Sequence, residues 1–308
     1  MEVLNFPFRR CLMDLDSLII AVFCLIDDYL PATLAQSPIR QRGPCPVLSD
    51  SEVLSIEVVG EYLGLDCDVA IFNYFRRHYG HFFPHLALVH RTTFTRQAAN
   101  LWRVKEALWQ RVLEQTQCDP SWAMVDSFPV AVCRFARAPR CRSFRAEAGF
   151  GKDHTIKQTF YGFRLHVRVC WPGVVTRFSL CAADVSDLAV LEELTEQTQG
   201  SCLADRNYWS PDIHQQLAEQ GVQMLVPFKK ASRDPEPQRS HQISSIRYRI
   251  ETVFSQLTER FSIKRVWARD QWHLASRLLR KVLAHTIGII LNRAAGHEPL
   301  RLAELLAH

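Results

Sequence analysis

The chain has 308 residues, 47% of them apolar and 22% charged, with a net charge of +5. That balance excludes a disordered or fibrous chain and leaves room for one large packed domain or two ordinary ones. The ten cysteines form no C-x-x-C pair and no Cys/His cluster at zinc spacing, which excludes a disulfide scaffold and reads as small core residues in a reducing compartment.

In chain order, residues 18–26 are an apolar run flanked by Asp14 and Asp16 before it and Asp27 and Asp28 after it. The run is too short to span a bilayer, so it is expected to be a buried helix in a cytoplasmic, nucleoid-associated protein with no membrane contact. Ser49-Asp50-Ser51-Glu52 fits a capping box that opens a helix with Val53, Ile56, Val59, Tyr62 and Leu63 at helical spacing, and Gly64 is placed to stop it. A second helix is expected over 68–78. A third, over 92–115, carries Phe94, Leu101, Leu108 and Val112 inside and Arg96, Arg103 and Lys105 outside. Three short helices with basic faces are compatible with a helix-turn-helix-like DNA reader, so residues 1–118 are assigned to an all-α N-terminal DNA-binding region.

From Ser121 the pattern changes to strands, the first over 123–133. Between Arg134 and Arg168 stand nine Arg or Lys, among them Arg140, Arg142, Arg145, Lys152 and Arg164, against only Glu147 and Asp153, a net +7. With Phe135, Phe144, Phe150, Phe160 and Tyr161 interleaved, this stretch suits a polyanion, most simply nucleic acid; the competing reading is a solvated basic loop. Residues 163–170 alternate, with Phe163, Leu165, Val167 and Val169 on one face and Arg164, His166 and Arg168 on the other, which predicts a half-buried strand with His166 towards a site or DNA. Trp171-Pro172-Gly173 turns the chain into a return strand over 174–182. Asp187 then caps a helix through Thr198, and a short strand (201–205), a helix (211–220) and another strand (222–228) follow. Residues 229–242, with Pro235 and Pro237, read as a mobile loop leading to an amphipathic helix over 246–261. Three strands, helix, strand, helix, strand, helix is the succession of the RNase H-like fold: an α/β, mixed sheet flanked by helices, assigned to 119–293 with a tail over 294–308.

Three carboxylates mark the chemistry. Asp126 lies in Met124-Val125-Asp126-Ser127-Phe128-Pro129-Val130, Asp205 in Leu203-Ala204-Asp205-Arg206-Asn207-Tyr208, and Glu251 on the last helix, one turn after Arg247. Acids at the exits of buried strands are costly to hold alone, and a hard divalent cation is their usual partner. Each also has an ordinary reading: Asp126 starting a turn, Asp205 capping the helix near Ser210, and Glu251 paired with Arg247 on the surface. The order Asp, Asp, Glu on strand, strand and helix favours a shared site, since the expected topology brings those positions to one point.

Asp126-Ser127-Phe128-Pro129-Val130, Gly149-Phe150-Gly151, Tyr161-Gly162-Phe163-Arg164-Leu165-His166, Asp205-Arg206-Asn207-Tyr208 and the run from Arg247 to Leu257 resemble the motifs of insertion-sequence transposases of the Asp-Asp-Glu superfamily, closest to the insertion-sequence 982 family. The resemblance extends from about Leu48 to Arg293. It implies that Asp126, Asp205 and Glu251 are catalytic metal ligands for Mg²⁺ or Mn²⁺, with two ions about 3.5 to 4 Å apart serving successive in-line displacements at phosphorus. It also implies 3′-end cleavage, strand transfer and a homodimer on the element's terminal inverted repeats and target DNA. Relatives usually carry Gly two residues after the second Asp, where this chain has Asn207, expected to tolerate a left-handed backbone. They also carry Tyr and Lys where Ser244 and Thr258 stand, which moves phosphate contacts to Arg260 or Lys264, beside Arg247. A nuclease without strand transfer and an inactive repeat-binding remnant remain as alternatives.

Overall fold

The computed structural model describes residues 13–36, 38–39, 45–153 and 156–306. The chain divides into two compact units, one of Met1–Gln117 with Leu257–His308 and one of Cys118–Gln256. Residues 257–308, split in sequence between the sheet domain and a tail, thus cluster with the N-terminal helices.

The helical unit opens with α1 (Leu15–Gln36), which is longer than its apolar run and, among the described residues, is the one helix long and apolar enough to cross a membrane by length and composition. Its Leu18, Ile19, Val22, Leu25 and Ile26 are nevertheless buried, and it packs on α2 (Asp50–Tyr62) and α5 (Trp102–Leu113). The capping box is formed as expected: Glu52 N donates to Ser49 Oγ at 3.1 Å, and Ser49 N donates to Glu52 Oε2 at 2.7 Å. Gly64 follows the helix with φ +71, a left-handed conformation that favours glycine. After α3 (Asp68–His78), the third expected helix is two, α4 (Arg91–Asn100) and α5, broken at Leu101.

The sheet unit has six strands: β1 (Asp119–Arg134), β2 (Gly149–Asp153), β3 (Gln158–Trp171), β4 (Val174–Ala182), β5 (Gly200–Leu203) and β6 (Val222–Leu225). β1 runs antiparallel to β3 and parallel to β5; β5 is parallel to β6, and β4 returns antiparallel along the far side of β3. This order, β4-β3-β1-β5-β6 with β2 added to β3, is a mixed RNase H-like sheet. β3 is covered on both faces: residues 160–170 are buried except for a half-buried Arg164, and the half-exposed strand expected from alternation is not found. Gly162 permits its close pairing with β1, since a Cβ there would run into the Val130 carbonyl oxygen.

Helices α6 (Leu191–Thr195) and α7 (Pro211–Glu219) lie between the later strands. The expected loop over 229–242 instead leads into α8 (Pro237–Ile246), with Pro237 in its first turn, where the missing N–H and fixed φ do no harm. α9 (Tyr248–Ser255) follows after Arg247, and a π-helical turn over Gln256–Arg260 ends it. The single helix expected over 246–261 is therefore interrupted. Ile246 is exposed, Ile250 and Val253 are buried in the sheet unit, and Leu257 and Phe261 belong to the helical unit.

α10 (Gln271–Ala294) completes the helical unit and packs on α2, α4 and α5. Its Arg280 is buried against Glu57, Glu61 and Asp68, and its Lys281 donates to Glu61 at 2.7 Å. Lys105, expected on an outer face, is buried too, 2.6 Å from Glu57. Burial would raise the Asp68 carboxyl, but Arg280 and Arg277 hold it below the ordinary range. A charge in this network that lost its partner would be strongly destabilising. Of the described cysteines, nine are free thiols; Cys11 lies outside the described residues.

Candidate active site

The parallel pairing of β1 and β5 ends at Met124 opposite Leu203. Asp126 and Asp205 each stand two residues beyond that pair, so the pleat sends both side chains to the same side at the strand ends. Burial lifts the Asp126 carboxyl to about 6, with Arg247 opposing the rise and Asp205 adding to it. Asp205 is also raised, first by burial and further by Asp187, against the pull of the Asn207 amide and Arg247. Two acids that hinder each other's ionisation form a donor set suited to a hard divalent cation.

Arg247 reaches this pair from the junction of α8 and α9. Its Nη2 donates to Asp126 Oδ2 at 2.6 Å, while its buried Nε has no hydrogen-bond partner. Seven residues on, about two helical turns, Phe254 packs edge-on to Phe128 with ring centroids 4.8 Å apart, fixing α9 against β1. Because Arg247, Ile250 and Val253 take the inward positions, Glu251 falls on the outer side and is exposed. Among the described residues, no three His, Cys, Asp or Glu side chains gather closely enough to hold a metal ion. The fold therefore unites Asp126 and Asp205 around Arg247 and leaves Glu251 apart from them; Arg247 pairs with Asp126, not with Glu251.

Asp205 caps the short 3-10 turn Arg206–Tyr208, a turn earlier than the helix near Ser210. Asn207 is not in the left-handed region. It contributes hydrogen bonds instead, its backbone N–H to Asp205 Oδ1 at 2.9 Å and its side-chain amide to Oδ2 at 3.1 Å.

The other face of β1 holds residues that sequence reasoning cast differently. Ser127 pairs across the sheet with His166. Its hydroxyl donates to Asp187 Oδ1 at 3.1 Å and accepts from Arg164 at 3.2 Å, and its amide donates to Asp126 Oδ1 at 2.8 Å. His166 does not face solvent or DNA. It is fully buried, 3.4 Å from the Tyr208 hydroxyl and 3.6 Å from Asp187, and burial, with Arg164 nearby, depresses it to about 4. Tyr208 is raised well above its ordinary range by burial and then by Asp187, Asp126 and Asp205. Asp187 is thus a third carboxylate in the electrostatic neighbourhood, missed in sequence because it was read as a helix cap. Ser186 takes that position.

Of the expected DNA contacts, Arg140, Arg142, Arg145 and Lys152 are exposed, beside exposed Phe135 and Phe150 rings that meet 5.8 Å apart. Arg164 is spent on Ser127 and the Lys152 carbonyl. Arg168 is buried and bonds the carbonyls of Leu194 and Glu196, a structural role. Lys264 is exposed in the helical unit, and Arg260 lies over the Tyr62 ring.

Residues 116–271 match a family model described as a transposase DDE domain. Among solved structures, the chain is similar to the piggyBac transposase in a cryo-EM synaptic complex with hairpin DNA, at 9% identity, covering 95% of this chain and 79% of that one with a TM-score of 0.46. No curated protein matches the chain.

Proposed function

The chain belongs to the transposase DDE-domain family, and we propose that it is the transposase of an insertion sequence, in the insertion-sequence 982 family by its motifs, cutting the element's 3′ ends and joining them to target DNA. The observation that carries this reading is the placement of Asp126 and Asp205 just beyond the last β1–β5 pair, where the charge of one acts on the other, inside the matched segment.

In this reading Asp126 and Asp205 would hold Mg²⁺ or Mn²⁺; Glu251, exposed on α9 and apart from them, is carried as the third acid by the resemblance of its motif alone. The bound cation would activate the attacking oxygen and stabilise the leaving oxygen at phosphorus. Asn207 fixes the Asp205 carboxylate through both its oxygens, and the Ser127 amide fixes Asp126. The unsatisfied Nε of Arg247 gives the site a donor for a phosphate oxygen. Ser127 and Tyr208 serve as framework, since no protein nucleophile is required. The protein would act in the cytoplasm, as a homodimer on paired terminal repeats, with the N-terminal helices binding those repeats.

Cation dependence tests the chemistry. Cleavage of duplex DNA should require Mg²⁺ or Mn²⁺ and fail in Ca²⁺, which takes similar oxygen ligands with longer and looser geometry. Undiminished cleavage in excess chelator would refute it.

A further inference from the structure

Residues 69–105 contain Arg76, Arg77, Arg91, Arg96, Arg103 and Lys105 and not one Asp or Glu. Lys105 is buried against Glu57, but all five arginines are exposed. They stand at the end of α3, along α4 and at the start of α5, and α3 and α4 are joined by packing of Phe72 on Phe94 with ring centroids 5.5 Å apart. A tract with this charge and no acid within it attracts a polyanion.

α4 is anchored on one side and open on the other. Phe94, Gln97, Ala98 and Leu101 face inward, where Gln97 donates to the Leu48 carbonyl and to Asp50, both at 2.9 Å. The Ala98 carbonyl accepts from Lys105 and Ser276, each at 3.0 Å, and the Ala99 carbonyl accepts from Trp272 at 2.6 Å. The outer stripe is Thr92, Arg96 and Asn100, spaced four residues apart and exposed. Arg and Asn are the side chains that bond guanine and adenine edges in pairs, and the major groove, about 12 Å wide, admits one α-helix. A helix held on its inner side and presenting this stripe to solvent has the chemistry of base readout.

We propose that α4 is the helix with which this protein reads duplex DNA, Arg96 and Asn100 contacting base edges in the major groove and Arg76, Arg77, Arg91 and Arg103 gripping the flanking phosphates. This rests on the transposase reading and assigns its sequence recognition to particular residues.

The test is selection of bound duplexes from a random-sequence pool by the full-length protein, in Ca²⁺ to prevent cutting. It is repeated with Arg96→Ala, Asn100→Ala and Arg96→Lys, each checked for an unchanged melting temperature. Wild type should select a consensus. Each variant should lose preference at one or two adjacent base pairs and bind the wild-type consensus about five- to a hundredfold more weakly, with binding to unselected duplex nearly unchanged. Arg96→Lys should behave like Arg96→Ala, because an ammonium cannot make the paired contact. The same consensus from wild type and all variants would overturn the assignment to α4 and leave the transposase reading intact. Binding to anionic vesicles or structured RNA with no binding to any duplex would overturn both.

Discussion

Arg247 donates its Nη2 to Asp126 Oδ2 at 2.6 Å, so the first acid of the sheet is neutralised by a cation from the junction of α8 and α9. The same guanidinium also favours ionisation of Asp205, which makes Arg247 the common partner of both acids.

Burial still dominates at Asp126, lifting it from 3.8 to about 6. A carboxyl raised in the folded state contributes stability that is complete below its unfolded value and is lost as pH climbs through its folded value. Metal-free protein should therefore lose stability relative to Asp126→Asn as pH rises from about 4 through 6. Melting curves of the two proteins across that window check this; a constant difference would show that Asp126 is not held by its burial.

His166 has the opposite sign. Its folded value is depressed from 6.5 to about 4, so its contribution is present above 6.5 and lost as pH falls through 4. The expected result is an imidazole resonance that titrates near pH 4, and a His166→Asn variant with unaltered DNA affinity. A reduced salt dependence of DNA binding in that variant would return His166 to the DNA surface.

Asp187 should matter for cleavage and not for DNA binding. It holds the Ser127 hydroxyl, and the Ser127 amide in turn orients Asp126. Partners of metal-binding groups cost roughly 10–100-fold in metal affinity or activity when lost, so Asp187→Asn should lower cleavage by about tenfold and weaken Mn²⁺ binding measured by electron paramagnetic resonance. Unchanged Mn²⁺ affinity would confine Asp187 to a structural role.

The exposed arginines of the sheet unit give a salt prediction. Replacing Arg140, Arg142 and Arg145 together with Ala should weaken binding to all duplexes alike and flatten the log-log salt dependence by roughly 0.9 per lost phosphate contact. An unchanged slope, measured by titration at several salt concentrations, would make them a solvated loop.

The sheet was legible because its strands carry β-branched and aromatic runs bounded by turn residues, and the helix starts because Ser49 and Glu52 form a local cap. What sequence could not show was which faces are covered. Arg168 and His166 alternate with apolar residues as a solvent face would, yet β3 is buried on both faces, and Lys105 looks like a surface lysine until Glu57 is placed beside it. Asp126 and Asp205 stand out in sequence by their positions at strand exits, and the sheet sets both where β1 and β5 part. Asp187 escaped because its partners Ser127 and His166 are distant in sequence and meet it only in the folded sheet. The acid-free tract over 69–105 was readable from composition alone.

The most direct measurement incubates purified protein and Mg²⁺ with duplex DNA carrying the sequences that flank its own coding region, together with a second duplex as target. The prediction is nicking that leaves 3′-hydroxyls at the repeat ends, followed by joining of those ends to the target, with both products absent from Asp126→Asn, Asp205→Asn and Glu251→Gln proteins that still bind the DNA. Cleavage without any joined product would make the protein a nuclease, and full activity in the Asp126 or Asp205 variant would contradict the account of the site.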